Sequence, residues 1–311
     1  MPPGRIPKSR GGGVSYRPRR PARAETLTLR GLAHRLLRFG PVDAQPAVFL
    51  HGWADSAATF QFLIDAFVDE HAIVALDWRG FGGSAWAGTT YWFPDYIADL
   101  EAMLNALDLR QPVTLLGHSM GGNVASLYSG IRPERVRAVI NLEGCGLTRT
   151  TPDAAPVRYQ RWLDELQTEQ AFGRFPNAEE FGRYLERKNP RLTAERARFV
   201  ADSWSRVLPD GGIGVNSDPA HKLINPVLYR REEAEACWRR ATAPTLLVVG
   251  ALSDYRVKLG ADGTDEYFRS VYPQLSLETL AGAGHMLHHD EPEALARLVE
   301  PWLEGRPAGT P

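Results

Sequence analysis

The sequence predicts a doubly wound α/β fold with a mostly parallel central sheet. Short apolar runs that end near Gly or Asp alternate with segments whose apolar residues recur at helical spacing. Apolar runs of this kind are typical of strands that are buried on both faces of a parallel sheet. They lie at residues 47–50, 72–76, 113–116, 136–142 and 245–249.

Helical patterns separate the apolar runs, at residues 56–70, 94–107, 123–131 and 291–303. Because strands and helices alternate, the chain predicts βαβ crossovers with helices on both faces of the sheet. Residues 25–29 and 33–39 instead alternate polar and apolar side chains around Gly31, which predicts an N-terminal hairpin.

The alternation stops after Gly146 and returns at Pro244. The stretch between them is rich in charged and aromatic residues, with helical patterns at 158–167, 178–188, 193–207 and 231–240. We therefore predict a core of residues 25–146 and 241–305. A helical cap of residues 147–240 is inserted between two core strands and lies over the site.

The first 24 residues carry seven Lys and Arg residues and many Gly and Pro, with no acid before Glu25. Such a stretch cannot bury enough apolar surface to offset the entropy of ordering, so it predicts a disordered basic tail. A basic arm that touches an acidic surface is the alternative. No apolar stretch follows the basic residues, so the sequence predicts no secretory signal.

The whole chain of 311 residues has a formal net charge of -1, which does not favour nucleic-acid binding. No apolar run reaches the roughly 18 residues that span a bilayer. Cys145 and Cys237 match no metal-ligand spacing and are interpreted as reduced thiols. We expect a cytoplasmic protein that acts on a small molecule, not on a nucleic acid or membrane; the sequence does not indicate its oligomeric state.

A Gly-His-Ser-Met-Gly sequence at residues 117–121 follows a predicted buried strand and precedes a predicted helix. A nucleophile elbow requires this context, because a sharp strand-to-helix turn lifts the serine hydroxyl above the sheet. Glycines are needed where a side chain would clash with the neighbouring strand and helix. The sequence therefore predicts Ser119 as a nucleophile.

A serine hydroxyl is a poor nucleophile until a base takes its proton. His285 ends a Gly-Ala-Gly-His sequence between the strand-like residues 276–280 and the last predicted helix. A loop at this place can bring an imidazole to the elbow, so we predict His285 as the base. His288 and His289 follow it and are expected to be surface residues.

The base needs an acid to fix its tautomer. Asp254 follows the predicted strand 245–249 and gives the chain order Ser, Asp, His, so it is the predicted acid. Glu143, at the end of the preceding core strand, is the alternative. If Asp254 is the acid, Glu143 lines the pocket or braces the cap. Asp77 precedes the nucleophile and is expected to order its own loop.

Acyl transfer also needs donors for an oxyanion. A His-Gly-Trp sequence at residues 51–53 follows a predicted strand, and Gly52 allows the backbone to turn close to the site. The backbone N–H groups of Trp53 and Met120 are the predicted pair. The Trp53 side chain would then form a wall of the pocket.

These segments together resemble the α/β-hydrolase superfamily, and within it the serine hydrolase-like proteins and related bacterial esterases. The matching residues are 51–53, 77–84, 117–122, 250–254 and 284–285. The resemblance implies a helical cap between the sixth and seventh core strands and no cofactor or metal. Epoxide hydrolases and haloalkane dehalogenases use an aspartate where this chain has Ser119, which argues against both activities.

The sequence thus predicts hydrolysis of a carboxylic ester of small to medium, partly apolar character through an acyl-Ser119 intermediate. The alternatives are a C–C bond hydrolase, a cofactor-free perhydrolase or haloperoxidase, and a non-catalytic binding protein. Aromatic residues of the predicted cap are candidates for the pocket wall, although each is more often part of a cap core. They are Tyr159, Trp162, Phe181, Tyr184 and Trp204.

Overall fold

The computed structural model describes residues 15–88 and 90–305. The strands in chain order are β1 (Arg23–Leu29), β2 (Leu32–Phe39), β3 (Ala47–Leu50), β4 (Ile73–Leu76), β5 (Val113–His118), β6 (Val136–Leu142), β7 (Arg174–Phe175), β8 (Ser205–Val207), β9 (Ile213–Val215), β10 (Thr245–Gly250) and β11 (Leu275–Leu280). Eight of these strands form one sheet in the order β1-β2-β4-β3-β5-β6-β10-β11.

The sheet is parallel from β4 to β11, whereas the hairpin of β1 and β2 joins it antiparallel to β4. Every residue of β3, β4, β5 and β10 is buried, which explains the continuous apolar runs in the sequence. The carboxyl ends of β5, β6 and β10 meet at one edge of the sheet. Ligand sites of open α/β sheets lie outside this edge.

Helices cover both faces of the sheet. In chain order they are α1 (Gln61–Ala66), α2 (Phe93–Ala106), α3 (Met120–Ile131), α4 (Ala155–Glu165), α5 (Ala178–Lys188), α6 (Ala194–Trp204), α7 (Arg231–Arg240), α8 (Asp265–Val271), α9 (Leu287–Asp290) and α10 (Pro292–Leu303). Apolar side chains of α1 and α10 pack on one face, and those of α2 and α3 pack on the other. The predicted doubly wound fold is therefore confirmed.

The insertion between β6 and β10 contains α4 to α7 and a small antiparallel sheet in the order β7-β9-β8. We expected helices only, and short strand pairs such as these leave no clear alternation in the sequence. The helix α7 packs on the core helix α3, where Gly130 faces the carbonyl oxygen of Cys237. We therefore propose that the cap ends before α7 and that α7 belongs to the core.

Residues 15–24 are ordered against α1, contrary to the predicted disordered tail. The Tyr16 hydroxyl donates to Asp65 Oδ2 at 2.9 Å. The backbone N–H groups of Arg19 and Arg20 donate to the two carboxylate oxygens of Asp65 at 2.9 and 2.8 Å. The buried carboxylate of Asp65 thus orders this segment, which composition alone does not predict. Residues 1–14, the rest of the predicted tail, lie outside the described residues.

In the described part of the chain, every helix is too short or too polar to cross a membrane. Cys145 is buried and Cys237 is half-buried, and both are free thiols, as the sequence predicts.

Two helical glycines provide a test of the α3–α7 packing. A Cβ atom at Gly130 would lie 1.8 Å from the carbonyl oxygen of Cys237. We expect Gly130→Ala to lower the free energy of unfolding by about 1–3 kcal/mol, because α7 must move away. A Cβ atom at Gly182 in α5 would have its nearest neighbour at 3.7 Å. The control Gly182→Ala is therefore expected to be neutral or to stabilise by up to about 1 kcal/mol.

Urea denaturation followed by circular dichroism measures both changes. Equal stability of the two variants would contradict the close approach of α3 and α7.

Candidate active site

Ser119 occupies the turn between β5 and α3, with φ 50° and ψ -111°. A positive φ is uncommon for a residue with a side chain and is held here by tight packing around the turn. A Cβ atom at Gly121 would lie 2.0 Å from the carbonyl oxygen of Leu50, and one at Gly117 would lie 2.2 Å from that of Gly121. Both glycines are therefore required, and the predicted elbow geometry is present.

His285 lies beside Ser119, in the loop that follows β11. Its Nε2 atom is 3.0 Å from Ser119 Oγ, within hydrogen-bond distance. The Nε2 atom of His118 is 2.8 Å from the carbonyl oxygen of His285, which anchors the backbone of this loop. The ring of Tyr255 stacks on the imidazole with 4.9 Å between the ring centroids. The structure thus brings together the predicted nucleophile and base.

Glu143 accepts a hydrogen bond from the other nitrogen of His285, with 3.1 Å between Oε2 and Nδ1. Its side chain is buried. The backbone N–H of Gly250 donates to Oε1 at 2.7 Å, and the Ser253 hydroxyl donates to Oε2 at 2.7 Å. These three donors satisfy the carboxylate and stabilise its negative charge.

Asp254 does not reach His285, which corrects the prediction of Asp254 as the acid. Its side chain is 77% exposed and pairs with Lys258 at 2.8 Å. The hydrogen bond to Lys258 lowers the pKa of Asp254. The turn after β10 directs Ser253 inward and Asp254 outward, so the alternative, Glu143, is the carboxylate that contacts His285. Glu143 also keeps the chain order Ser, acid, His.

Asn141, which the sequence analysis did not identify, shapes the turn that presents Glu143. Its Oδ1 atom accepts the N–H of Gly144 at 2.7 Å, and its Nδ2 atom donates to the carbonyl oxygen of Gly144 at 2.9 Å. Nδ2 also donates to Ser126 Oγ at 2.8 Å. Asn141 precedes Gly144 by three residues, and Asn and Gly are both frequent in turns, so this pair could have marked the segment as more than a strand end.

The predicted oxyanion donors flank the nucleophile. Met120 begins α3, so its N–H is among the first-turn groups that have no acceptor within the helix. A Cβ atom at Gly52 would lie 3.3 Å from Ser119 Cβ, so the backbone that leads to Trp53 passes beside Ser119. The Trp53 side chain is 49% exposed and packs against Phe172, with 5.9 Å between the ring centroids.

Comparison with known families decides the classification. The family model described as the alpha/beta hydrolase fold matches residues 46–292. This chain belongs to the α/β-hydrolase family. It is 27% identical over 274 residues to a serine hydrolase-like protein of Danio rerio, over 86% of this chain and 83% of that protein. The predicted family is therefore confirmed.

Two solved structures resemble this hydrolase in fold. A thioesterase domain from the curacin biosynthetic pathway has a TM-score of 0.79 and 22% identity, over 90% of this chain and 99% of that chain. An esterase of Mycobacterium tuberculosis has a TM-score of 0.67 and 22% identity, over 91% of each chain. At this identity the two structures support the fold alone.

Two residues near the nucleophile order the hydrolase loops. Asp77 accepts the N–H groups of Ala57 and Gly83, each at 2.7 Å, so it orders its own loop as predicted. His51 has Nδ1 2.7 Å from the carbonyl oxygen of Gly52 and accepts the Trp78 N–H through Nε2 at 3.0 Å. Burial lowers the pKa of His51, so the ring is neutral and holds the Gly52 turn.

The insertion of the hydrolase contacts both loops that flank the site. Trp204 Nε1 donates to Asp55 Oδ1 at 3.0 Å, beside the Trp53 loop. Arg191 Nε donates to Asp290 Oδ2 at 2.8 Å, and the same oxygen accepts the N–H of Gly284, next to His285. These bonds place the insertion against the active-site edge of the sheet.

The aromatic candidates for the pocket wall differ in position. Phe181 belongs to the apolar core of the insertion. Tyr159 and Tyr184 are exposed. Trp204 is hydrogen-bonded to Asp55. Phe172, which is not among the predicted candidates, is the aromatic residue that packs against Trp53.

His288 and His289 are buried, which corrects the prediction that they are surface residues. Burial lowers the pKa of each imidazole to about 3, so both rings are neutral at neutral pH. Their burial arises because the chain forms the short helix α9 beneath the insertion, whereas the sequence shows only polar residues near a helix start.

The hydrogen bond between His285 and Glu143 is testable without a substrate. An imidazole proton held by a carboxylate is strongly deshielded, so we expect a downfield proton NMR signal from His285 Nδ1–H. Glu143→Gln should remove this signal, whereas Asp254→Asn should retain it. Loss of the signal in Asp254→Asn alone would contradict the arrangement.

Proposed function

We propose that this α/β hydrolase cleaves carboxylic esters of small to medium, partly apolar character through an acyl-enzyme on Ser119. The observation that carries the proposal is the continuous chain of hydrogen bonds from Ser119 Oγ through His285 to Glu143, at 3.0 and 3.1 Å. Serine, histidine and carboxylate in this geometry generate a nucleophilic alkoxide at neutral pH.

In the first half-reaction, Ser119 Oγ attacks the carbonyl carbon of the ester while His285 Nε2 accepts the hydroxyl proton. Glu143 keeps the proton of the neutral imidazole on Nδ1, so Nε2 is the free acceptor. When the imidazole becomes an imidazolium, the Glu143 carboxylate stabilises its positive charge without itself being protonated.

The tetrahedral intermediate carries its negative charge on the former carbonyl oxygen. We propose that the N–H groups of Trp53 and Met120 donate to this oxygen, and the N-terminus of α3 adds a favourable dipole. The intermediate collapses and breaks the bond to the alcohol oxygen, which takes the proton from His285. This leaves acyl-Ser119 and a free alcohol.

In the second half-reaction, His285 takes a proton from a water molecule that attacks the acyl carbon. Collapse of the second intermediate returns the proton to Ser119 Oγ and releases the carboxylic acid. The relative of Danio rerio is named a serine hydrolase-like protein, and this name supports hydrolysis through an active-site serine.

Substitutions on the triad test the proposed function, with p-nitrophenyl esters of increasing acyl length as substrates. We expect Ser119→Ala to lower kcat/KM by at least about 10³-fold and Glu143→Gln by roughly 10²- to 10⁴-fold. Asp254→Asn is the matched control and should stay within about twofold of the wild type, because the Asp254 side chain is exposed and pairs with Lys258 at the surface.

A fluorophosphonate probe should label Ser119 in the wild type and in Asp254→Asn. If the wild type neither hydrolysed the esters nor was labelled, the proposed ester hydrolysis through Ser119 would be wrong. A large loss of activity in Asp254→Asn, with Glu143→Gln unaffected, would overturn the assigned acid.

The preference for acyl-chain length tests whether Phe172 and Trp53 line the substrate pocket. Phe172 packs on Trp53, so Phe172→Ala should enlarge the space beside Ser119. We expect the ratio of kcat/KM for the octanoate ester to that for the acetate ester to rise by roughly tenfold, the effect of one to two buried methylene groups. Tyr184→Ala is the control, since Tyr184 packs on Phe175 instead. An unchanged ratio in Phe172→Ala would remove Phe172 from the pocket.

A further inference from the structure

A buried polar cluster lies beside the triad, and the hydrolytic mechanism does not use it. Within the described residues, eight buried side-chain nitrogen and oxygen atoms have no hydrogen-bond partner. Two of the eight are Asp55 Oδ2 and His289 Nε2. His288 adds Nδ1, whereas its other nitrogen, Nε2, lies 3.4 Å from Asp55 Oδ2 and 3.4 Å from Thr59 Oγ1. A fourth is Nδ1 of His118, whose ring packs on His288 with 4.6 Å between centroids. Buried polar atoms without partners are rare, so their concentration at one place points to a ligand.

Asp55 is held in an orientation that leaves one oxygen free. Its Oδ1 atom accepts hydrogen bonds from the Ser56 N–H, the Thr59 hydroxyl and Trp204 Nε1, at 2.7, 2.7 and 3.0 Å. Its Oδ2 atom has no hydrogen-bond partner and faces His288. In metal sites, hydrogen bonds from neighbouring groups commonly orient a ligand carboxylate and leave its other oxygen free to bind the ion.

The distances within the cluster fit coordination better than hydrogen bonding. One ligand atom each from Asp55, His288 and His289 lies within 4.8 Å of the other two. The gap between Asp55 Oδ2 and His288 Nε2 is 3.4 Å, longer than an ordinary hydrogen bond. Two ligands with bonds of about 2.0–2.1 Å to a tetrahedral zinc ion lie about 3.4 Å apart.

The charges in the cluster also favour a cation. In residues 15–88 and 90–305, the ion pair of Asp55 is with His288, and no Lys or Arg shares it. The buried carboxylate of Asp55 thus has no Lys or Arg partner among the described residues, and a bound cation would compensate its charge.

We propose that Asp55, His288 and His289 bind one divalent transition-metal ion, with Zn²⁺ the best match to two imidazole nitrogens and one carboxylate oxygen. The ion would connect the loop after β3, which carries Trp53, to α9, which follows His285. Since the ligands come from two distant parts of the chain, its binding stabilises the folded state. The proposal is independent of the proposed ester hydrolysis.

Metal content tests the site. A chelator first removes bound metal from the protein, which is then incubated with ZnCl₂ and passed through a desalting column. Inductively coupled plasma mass spectrometry measures the zinc that remains bound. We expect about one zinc per chain in the wild type and at least a fivefold lower content in Asp55→Asn and in His289→Gln. His71→Gln is the control, because His71 also pairs with a carboxylate, that of Glu300, at 3.0 Å. It should retain zinc.

A second control separates this site from the triad. His285→Asn removes the imidazole of the triad, and the proposal expects full zinc content in this variant. Zinc should also raise the melting temperature of the wild type and of His71→Gln, but not of Asp55→Asn or His289→Gln.

Three outcomes would overturn the proposal. They are no retained zinc in the wild type, equal zinc in Asp55→Asn and His289→Gln, and loss of zinc in His285→Asn. If the ligand variants do not fold, X-ray absorption at the zinc edge of the loaded wild type decides. A shell of two imidazole nitrogens and a carboxylate oxygen supports the site, whereas a shell without imidazole, or a crystal structure with water in this place, refutes it.

Discussion

The carboxylate of Glu143 is the group on which the arrangement of the site depends. It lies where the carboxyl ends of β6 and β10 meet, and it accepts hydrogen bonds from Gly250, Ser253 and His285. Those donors come from the loops that follow two different strands. A single buried charge thus connects the end of β10 to the loop of the base. Its loss would leave these donors without their shared acceptor.

The backbone at Glu143 is also held in an unusual conformation. Glu143 has φ 60°, in the left-handed region that residues with side chains rarely adopt. Asn141 holds the same turn through two hydrogen bonds to Gly144, so the unusual conformation is supported by its neighbours. Ser119 also has a positive φ. Ser119 and Glu143, the proposed nucleophile and acid, therefore both lie in strained turns at strand ends, as is common at functional sites.

Much of the core follows from local sequence patterns. The buried strands are continuous apolar runs, and the elbow is marked by a strand, a Gly-flanked serine and a helix. These signals placed Ser119 and His285 correctly beside each other, because loops at the carboxyl edge of a parallel sheet converge. Such features depend on residues that are close in sequence, which is why the sequence alone reveals them.

The features that the sequence did not reveal depend on contacts between distant segments. Ser253 and Asp254 are neighbours, and only the fold decides which one faces Glu143. His288 and His289 resemble polar residues at a helix start until the insertion covers them. The order of residues 15–24 depends on Asp65, which lies 46 positions from Arg19. None of these partners is visible in a local pattern.

The core and the insertion contribute different residues to the candidate site. The triad comes from the core alone, from loops after β5, β6 and β11. The insertion contributes Phe172 against Trp53 and contacts through Trp204 and Arg191.

The most direct measurement is a crystal structure of the wild-type protein after reaction with a small alkyl fluorophosphonate. Such an adduct mimics the tetrahedral intermediate. We expect phosphorus bonded to Ser119 Oγ, a phosphonyl oxygen within hydrogen-bond distance of the Trp53 and Met120 N–H groups, and His285 Nδ1 hydrogen-bonded to Glu143. An adduct on another residue, or His285 turned from Glu143 towards Asp254, would contradict this arrangement.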